Sequence, residues 1–296
     1  GLLFGTGWIL ASLGAKSFFF TILGIGFVSG IGAGMAYIVP ITVCVKWFPD
    51  NKGLVTGIAV AGFGGGAALV SQIGGLLLSA YQFTPFQTFL VFGLSFTVLV
   101  CLAGLFMFSP AGSGPQGRAT SLQSKEILGS TIFKVLYLSM VIGLAAGFAI
   151  NANLKELFQG VEKQVSVGVT AVSLFALANA LGRISWGWLF DRMSATRIIQ
   201  MNLFFQAVSL ILAPFMVSSV AGFWVVAFLV GFNYGGVLVL YVSSVSSLWG
   251  VRNVGQIYGM MFTSNIPASL SPIFAGMVFD KYHSFNGALY ILAILL

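Results

Sequence analysis

Arg183 is the residue whose chemistry most needs a reason. It sits inside the apolar run NALGRISWGWLF (residues 179–190), which closes on the charged turn Asp191-Arg192-Met-Ser-Ala-Thr-Arg197. A guanidinium inside a lipid-embedded helix is costly and marks function by default. Its planar fork of donors suits a carboxylate and stays protonated at any relevant pH. The other explanation is structural: a guanidinium satisfied by helix carbonyls or by a neighbouring side chain. The acids give Arg183 no membrane-depth partner, because Asp50, Glu126, Glu156, Glu162, Asp191 and Asp280 all fall at segment ends or in loops, and the lone His283 lies near a segment end. An enzyme needs convergent acid, base or nucleophile groups, and none is spaced for that here. Cys44 and Cys101 sit in apolar stretches and read as small core residues. The expectation is a protein that is not an enzyme, holds no metal and no cofactor, and has no buried carboxylate to carry a proton.

The elements that must position Arg183 are membrane helices. The chain has 296 residues, 58% hydrophobic and 6% charged, with a mean hydropathy of +1.02. A soluble domain carries about 25% charged residues, so lipid must serve as the solvent here. Twenty-nine Phe and 38 Gly supply the bulky and small residues of helical membrane bundles. The net charge of +7 is carried by basic residues scattered singly, with no cluster that could track a phosphate backbone. Nucleic acid is therefore not an expected partner; a lipid bilayer and a small organic anion are, and the protein is expected to act as a monomer in a plasma or bacterial inner membrane.

A span needs about 20 apolar residues. Breaks at polar and charged clusters give ten segments: 1–13, 18–45, 54–80, 87–109, 131–151, 165–189, 197–218, 222–248, 256–279 and 285–296. The first and last are partial, and the chain begins and ends inside apolar runs, which suggests a piece of a longer membrane protein. Residues 110–130 are rich in Ser, Gly and Pro and read as a linker. Alternate loops place Lys46, Lys52, Arg118, Lys125, Lys134, Arg192, Arg197 and Arg252 on one side, against Lys16, Lys155, Lys163 and Lys281 on the other. The first side is expected to be cytoplasmic.

Two loops repeat. Trp47-Phe-Pro-Asp-Asn-Lys-Gly53 and Trp249-Gly-Val-Arg-Asn-Val-Gly255 share Trp, Asn and Gly at identical spacing, each between two apolar segments. Six segments separate them, as expected for parallel six-helix repeats. The predicted architecture is an all-α polytopic membrane protein, a 6+6 helix bundle with about ten of twelve transmembrane helices present. Its halves are residues 1–109 (helices three to six), a cytoplasmic linker at 110–130, and residues 131–296 (helices seven to twelve, the last truncated).

The motif from Gly187 to Arg197 resembles the signature loop of the major facilitator superfamily, with Ser194 and Ala195 where Gly and a basic residue are usual. KWFPDNKGLVTG, NALGRISWGWLFDR, FNYGGVLVLY and RNVGQIYGMMFT are similar to its oxalate/formate antiporter branch. The resemblance implies a twelve-helix antiporter of small carboxylates that binds substrate between its halves by alternating access. At about 1.5 Å per residue, Arg183 lies about 12 Å from the cytoplasmic edge, and Tyr37, Phe63 and Asn265 about 15 Å deep. The resemblance makes Arg183 the carboxylate anchor and places Tyr37, Phe63 and Tyr234 at aromatic cage positions; in a chain with this many rings a ring in any helix is more often core or lipid-facing, and Tyr37, whose buried hydroxyl must find a partner, is the best candidate of the three. Asn265 stands where oxalate-specialised members carry a lysine. One fixed cation balances one negative charge, so a monocarboxylate is expected over oxalate. Asp191, Arg192 and Arg252 are expected to form a conformational latch, with Asp191 near the start of the eleventh helix. A proton-linked monocarboxylate or drug transporter of the same fold is the alternative. The glycines Gly62, Gly64, Gly65, Gly66, Gly74 and Gly75 read as packing residues that permit rocking.

Overall fold

The computed structural model describes residues 1–110, 124–158 and 165–296, and these are helical with no strand among them. In chain order, α1 (Leu2–Ala11) leads through a 3-10 turn into α2 (Phe18–Thr21), a π-helical stretch (Ile22–Ser29) and α3 (Gly30–Trp47). Next come α4 (Lys52–Ser79), α5 (Pro85–Leu105), α6 (Ser124–Gly129), α7 (Thr131–Ala152), α8 (Val165–Phe190), α9 (Ala195–Met216) and α10 (Val220–Trp249). The chain finishes with α11 (Val254–Phe262), α12 (Asn265–Ala268), α13 (Ser271–Tyr282) and α14 (Asn286–Leu295).

Among the described residues, seven helices are long and apolar enough to cross a membrane; Phe18–Trp47 counts as one of them, and α4, α5, α7, α8, α9 and α10 are the others. The expected partial segments at either end are the shorter helices Leu2–Ala15 and Asn286–Leu295. The expected segment 256–279 differs, for it is broken into α11, α12 and α13. Proline is the reason: Pro267 and Pro272 lack the N–H that would continue the ladder, and their rings clash with the carbonyl four residues back. The backbone answers with shorter bonds, Ser264 N–H to the Met261 carbonyl at 3.0 Å and Ile266 N–H to the Thr263 carbonyl at 2.9 Å. Residues 124–129 of the expected linker are helical, as α6. Arg118, Glu162 and Lys163 lie outside the described residues.

Two compact units account for the chain: Gly1–Trp47 with Gly65–Gln116, and Phe48–Gly64 with Gly117–Leu296. In the first, α1 packs on α5 through glycine. A Cβ on Gly5 would fall 2.7 Å from the Gly93 carbonyl oxygen, and one on Gly93 would fall 3.0 Å from that of Gly5. Beside this crossing, Trp8 meets Phe89, Phe92 and Phe96 edge-on, with centroids 5.4–6.0 Å apart.

The second unit is built around α10, whose apolar window is 67% buried against 17–39% for the other spans. Here too small residues bring backbones together. A Cβ on Gly182 would lie 2.0 Å from the Phe232 carbonyl oxygen, and one on Gly235 would lie 2.2 Å from that of Asn179. So α8, which carries Arg183, is held against the most buried helix. On α9, Asn202, Gln206 and Ser209 share a face at helical spacing and are all buried. The Asn202 amide donates to the Asn233 carbonyl at 2.9 Å, and that of Asn233 reaches Ser209 Oγ at 3.5 Å. Gln206 differs, since among the described residues neither of its amide atoms has a hydrogen-bond partner. An unpaired buried amide costs about 1–3 kcal/mol. Gln206→Met should therefore raise the melting temperature, by about 1 kcal/mol of stability; a lowered melting temperature would show that the amide is satisfied.

Candidate functional site

Arg183 lies half-buried within α8, where α4 runs along it. The guanidinium donates from Nη1 to the Val60 carbonyl oxygen, and a Cβ on Gly64 would sit 3.7 Å from that nitrogen. Of the two explanations open at the sequence level, a carbonyl partner is thus realised. It belongs to another helix, not to the arginine's own. The two helices meet because α4 opens with Gly53-Leu-Val-Thr-Gly57. A Cβ on Gly53 would lie 2.2 Å from the Gly187 carbonyl oxygen, one on Gly187 would lie 2.3 Å from that of Gly53, and one on Gly57 would lie 2.4 Å from that of Arg183. Those positions admit no side chain, and the close approach lets Arg183 reach a main-chain oxygen one turn further along.

The same seam is closed at its end by Asp191. Its Oδ1 accepts from the Gly53 N–H at 2.7 Å and its Oδ2 from the Leu54 N–H at 2.9 Å. Gly53 and Leu54 are the second and third residues of α4, whose amides have no partner within the helix. A carboxylate there caps the helix and meets the positive end of its dipole. The expected latch is corrected on this point: Asp191 holds the start of α4, not the start of the eleventh helix of the expected bundle. Arg192 takes no part in this contact. It is exposed, its guanidinium carbon lies 3.7 Å from the Trp188 ring centroid, and its Nη1 donates to the Trp188 carbonyl at 3.2 Å. The Arg252 side chain lies outside the described residues. Asp191→Asn should destabilise the protein by about 1 kcal/mol, and Asp191→Ala by up to about 2 kcal/mol, read as melting temperature in detergent.

Tyr234 lies on α10 next to Gly235, whose Cβ would come within 3.1 Å of the Arg183 amide nitrogen. Tyr234 is half-buried. Its ring also packs on Phe148 and Phe175, with centroids 5.9 and 6.0 Å away, and a Cβ on Gly147 would run into it. It is therefore part of the packed interior of the second unit. Phe63 follows on α4 and is 41% exposed. Asn265 is half-buried at the break between α11 and α12, and its amide donates to the Phe262 carbonyl at 2.7 Å. Tyr37 lies half-buried on α3, in the first unit. The structure thus brings Arg183, Tyr234 and the Val60–Gly64 stretch together.

Three features were not read from the sequence. One is the Val60 carbonyl, a backbone acceptor that no residue type reveals. Another is the α4 end as the partner of Asp191, to which the Gly53–Gly57 spacing was the available signal. The third is the break beside Asn265, where the Tyr137 hydroxyl lies 3.2 Å from Thr263 Oγ1; Pro267 and Pro272 announced it. The glycines of α4 also divide. Gly53 and Gly57 are demanded by packing, whereas, among the described residues, a Cβ on Gly62, Gly65, Gly66 or Gly75 would meet nothing within 4 Å, and one on Gly74 would make an ordinary contact.

Apolar membrane-crossing helices, glycine-mediated crossings and a charged turn capping a neighbouring helix define a multi-pass α-helical membrane protein. A profile of the Major Facilitator Superfamily matches residues 1–272, and the chain belongs to that family. It is 24% identical to the Oxalobacter formigenes oxalate:formate antiporter, over 90% of this chain and 64% of that protein. It is also 24% identical to apicoplast pyruvate carrier 1 of Toxoplasma gondii, over 87% of this chain and 59% of that protein. The chain thus spans about three-fifths of the length of these relatives. A crystal structure of the Escherichia coli fucose:proton symporter superposes with a TM-score of 0.70 at 15% identity, covering 99% of this chain and 78% of that one. That likeness concerns the fold.

Proposed function

We propose that the protein is a secondary transporter that exchanges small monocarboxylates across a membrane by alternating access. The observation that carries this reading is Arg183, a permanent cation about eight residues inside a membrane helix. A guanidinium there can take a carboxylate through two parallel charge-assisted bonds. The relatives named for pyruvate and for oxalate and formate support a carboxylate as cargo. Asn265 is neutral, so a second substrate charge would meet no second cation at that position, and a monoanion is favoured over oxalate.

Exchange is favoured over proton coupling because, among the described residues, the acids lie at helix ends, in turns or in the short α6. The test is counterflow of labelled pyruvate or formate in proteoliposomes. Uptake against an internal pool of unlabelled substrate should proceed without a pH gradient. Uptake that needs an inward proton gradient would instead assign a proton-linked transporter of the same fold.

A further inference from the structure

The stretch that carries Asn265 is interrupted, and α7 lies along the interruption. Pro267 and Pro272 have no N–H to continue the ladder. The backbone substitutes tighter bonds, Ile266 N–H to the Thr263 carbonyl at 2.9 Å and Leu270 N–H to the Pro267 carbonyl at 3.2 Å. Neighbours change at the break as well: α11 packs on α10, whereas α12 and α13 pack on α7. Two hydroxyls tie the broken stretch to α7. The Thr263 hydroxyl donates to the Met260 carbonyl at 2.7 Å, which commits its hydrogen. The Tyr137 hydroxyl is therefore the donor to Thr263 Oγ1 at 3.2 Å. Beyond the break, the Ser271 hydroxyl donates to the Ala145 carbonyl at 2.7 Å.

We infer that α7 splints the broken helix and that Tyr137 is a positioning residue for Asn265. The inference rests on the reading of Asn265 as a residue of the substrate site. The two ties bracket Asn265. Ala145 follows Tyr137, and Ser271 follows Thr263, by the same number of residues, about 12 Å of helix. The two stretches thus run parallel and in step. Asn265 donates its amide to the Phe262 carbonyl at 2.7 Å, which fixes it to the end of α11. That end is fixed in turn by the chain from Tyr137 through Thr263 to the Met260 carbonyl, in which each hydrogen bond polarises the next. The ties differ in exposure. Ser271 is buried, whereas Tyr137 is half-buried and Thr263 exposed, so the Tyr137 tie can be removed without opening the core.

The test uses the full-length protein in proteoliposomes and reads counterflow of labelled formate. Tyr137→Phe removes one hydroxyl and keeps the ring that stacks on Phe133. It should raise the KM for formate about threefold to tenfold, the range of one hydrogen bond between membrane helices, with kcat nearly unchanged. Thr263→Ser keeps the hydroxyl and should keep the wild-type KM. Asn265→Ala should raise KM by itself, and Tyr137→Phe should then add nothing to it. In a Cys44→Ala, Cys101→Ala background, a nitroxide at Ile266→Cys, an exposed position, should become more mobile with Tyr137→Phe. If Asn265→Ala raises KM but Tyr137→Phe changes neither KM nor label mobility, the splint is wrong and the site reading stands. If Tyr137→Phe raises KM equally with and without Asn265→Ala, Tyr137 does not act through Asn265 and the positioning role is overturned. If Asn265→Ala keeps the wild-type KM, or formate is not exchanged, the site reading falls and the inference with it.

Discussion

Arg183→Met is expected to reduce monocarboxylate exchange at least a hundredfold while leaving a folded protein. Two charge-assisted bonds to a carboxylate are worth about 1.5–3 kcal/mol each, and every 1.4 kcal/mol is a factor of ten. The hydrogen bond to the Val60 carbonyl is worth less, about 1 kcal/mol. The two effects separate in the measurement. A purely structural role would lower the amount of folded transporter and leave the KM of the remainder unchanged. An anchor raises KM for every monocarboxylate in a population whose melting temperature is nearly normal. Arg183→Lys refines the result, since it keeps the charge but loses the fork. It should fall between the wild type and Arg183→Met, at about a tenfold loss.

Gly187→Ala carries the second large effect. One methyl group would place a carbon 2.3 Å from the Gly53 carbonyl oxygen, a distance that main-chain atoms on both helices cannot relieve by a rotamer change. The helices must separate instead, at about 1–3 kcal/mol for overpacking. Separation also stretches the Asp191 bonds to Gly53 and Leu54 and the Arg183 bond to Val60. The cost should therefore exceed that of Asp191→Asn, with exchange reduced about tenfold or more. Gly62→Ala on α4 provides the control. Its Cβ meets nothing within 4 Å, so the substitution should be neutral or stabilising by up to about 1 kcal/mol. Equal damage from both substitutions would deny the seam any special role.

The helical, lipid-embedded character of the chain was legible because composition and hydropathic runs report it directly. Most span limits fell within two or three residues, as with α7 against the expected 131–151. The broken segment was missed because an apolar run reads as one span even where Pro267 and Pro272 interrupt its hydrogen bonds. Arg183 stood out because charge in an apolar helix is rare. Its Val60 contact did not, because it joins residues far apart in the chain and uses a backbone atom. Asp191 was read as a helix-end partner, but which helix it caps depends on packing. That packing is encoded in Gly53, Gly57 and Gly187, small residues that look alike in a chain with 38 glycines. Their roles separate only when the space around each Cβ position is known.

The central claim, that Arg183 makes this protein a transporter of small monocarboxylates, is tested most directly by counterflow in proteoliposomes. Labelled formate, pyruvate and oxalate are offered side by side to the full-length protein and to Arg183→Met. The account predicts rapid exchange of formate or pyruvate, slower exchange of oxalate, and loss of all three with Arg183→Met. Exchange of a monocarboxylate at the wild-type rate by folded Arg183→Met would contradict it.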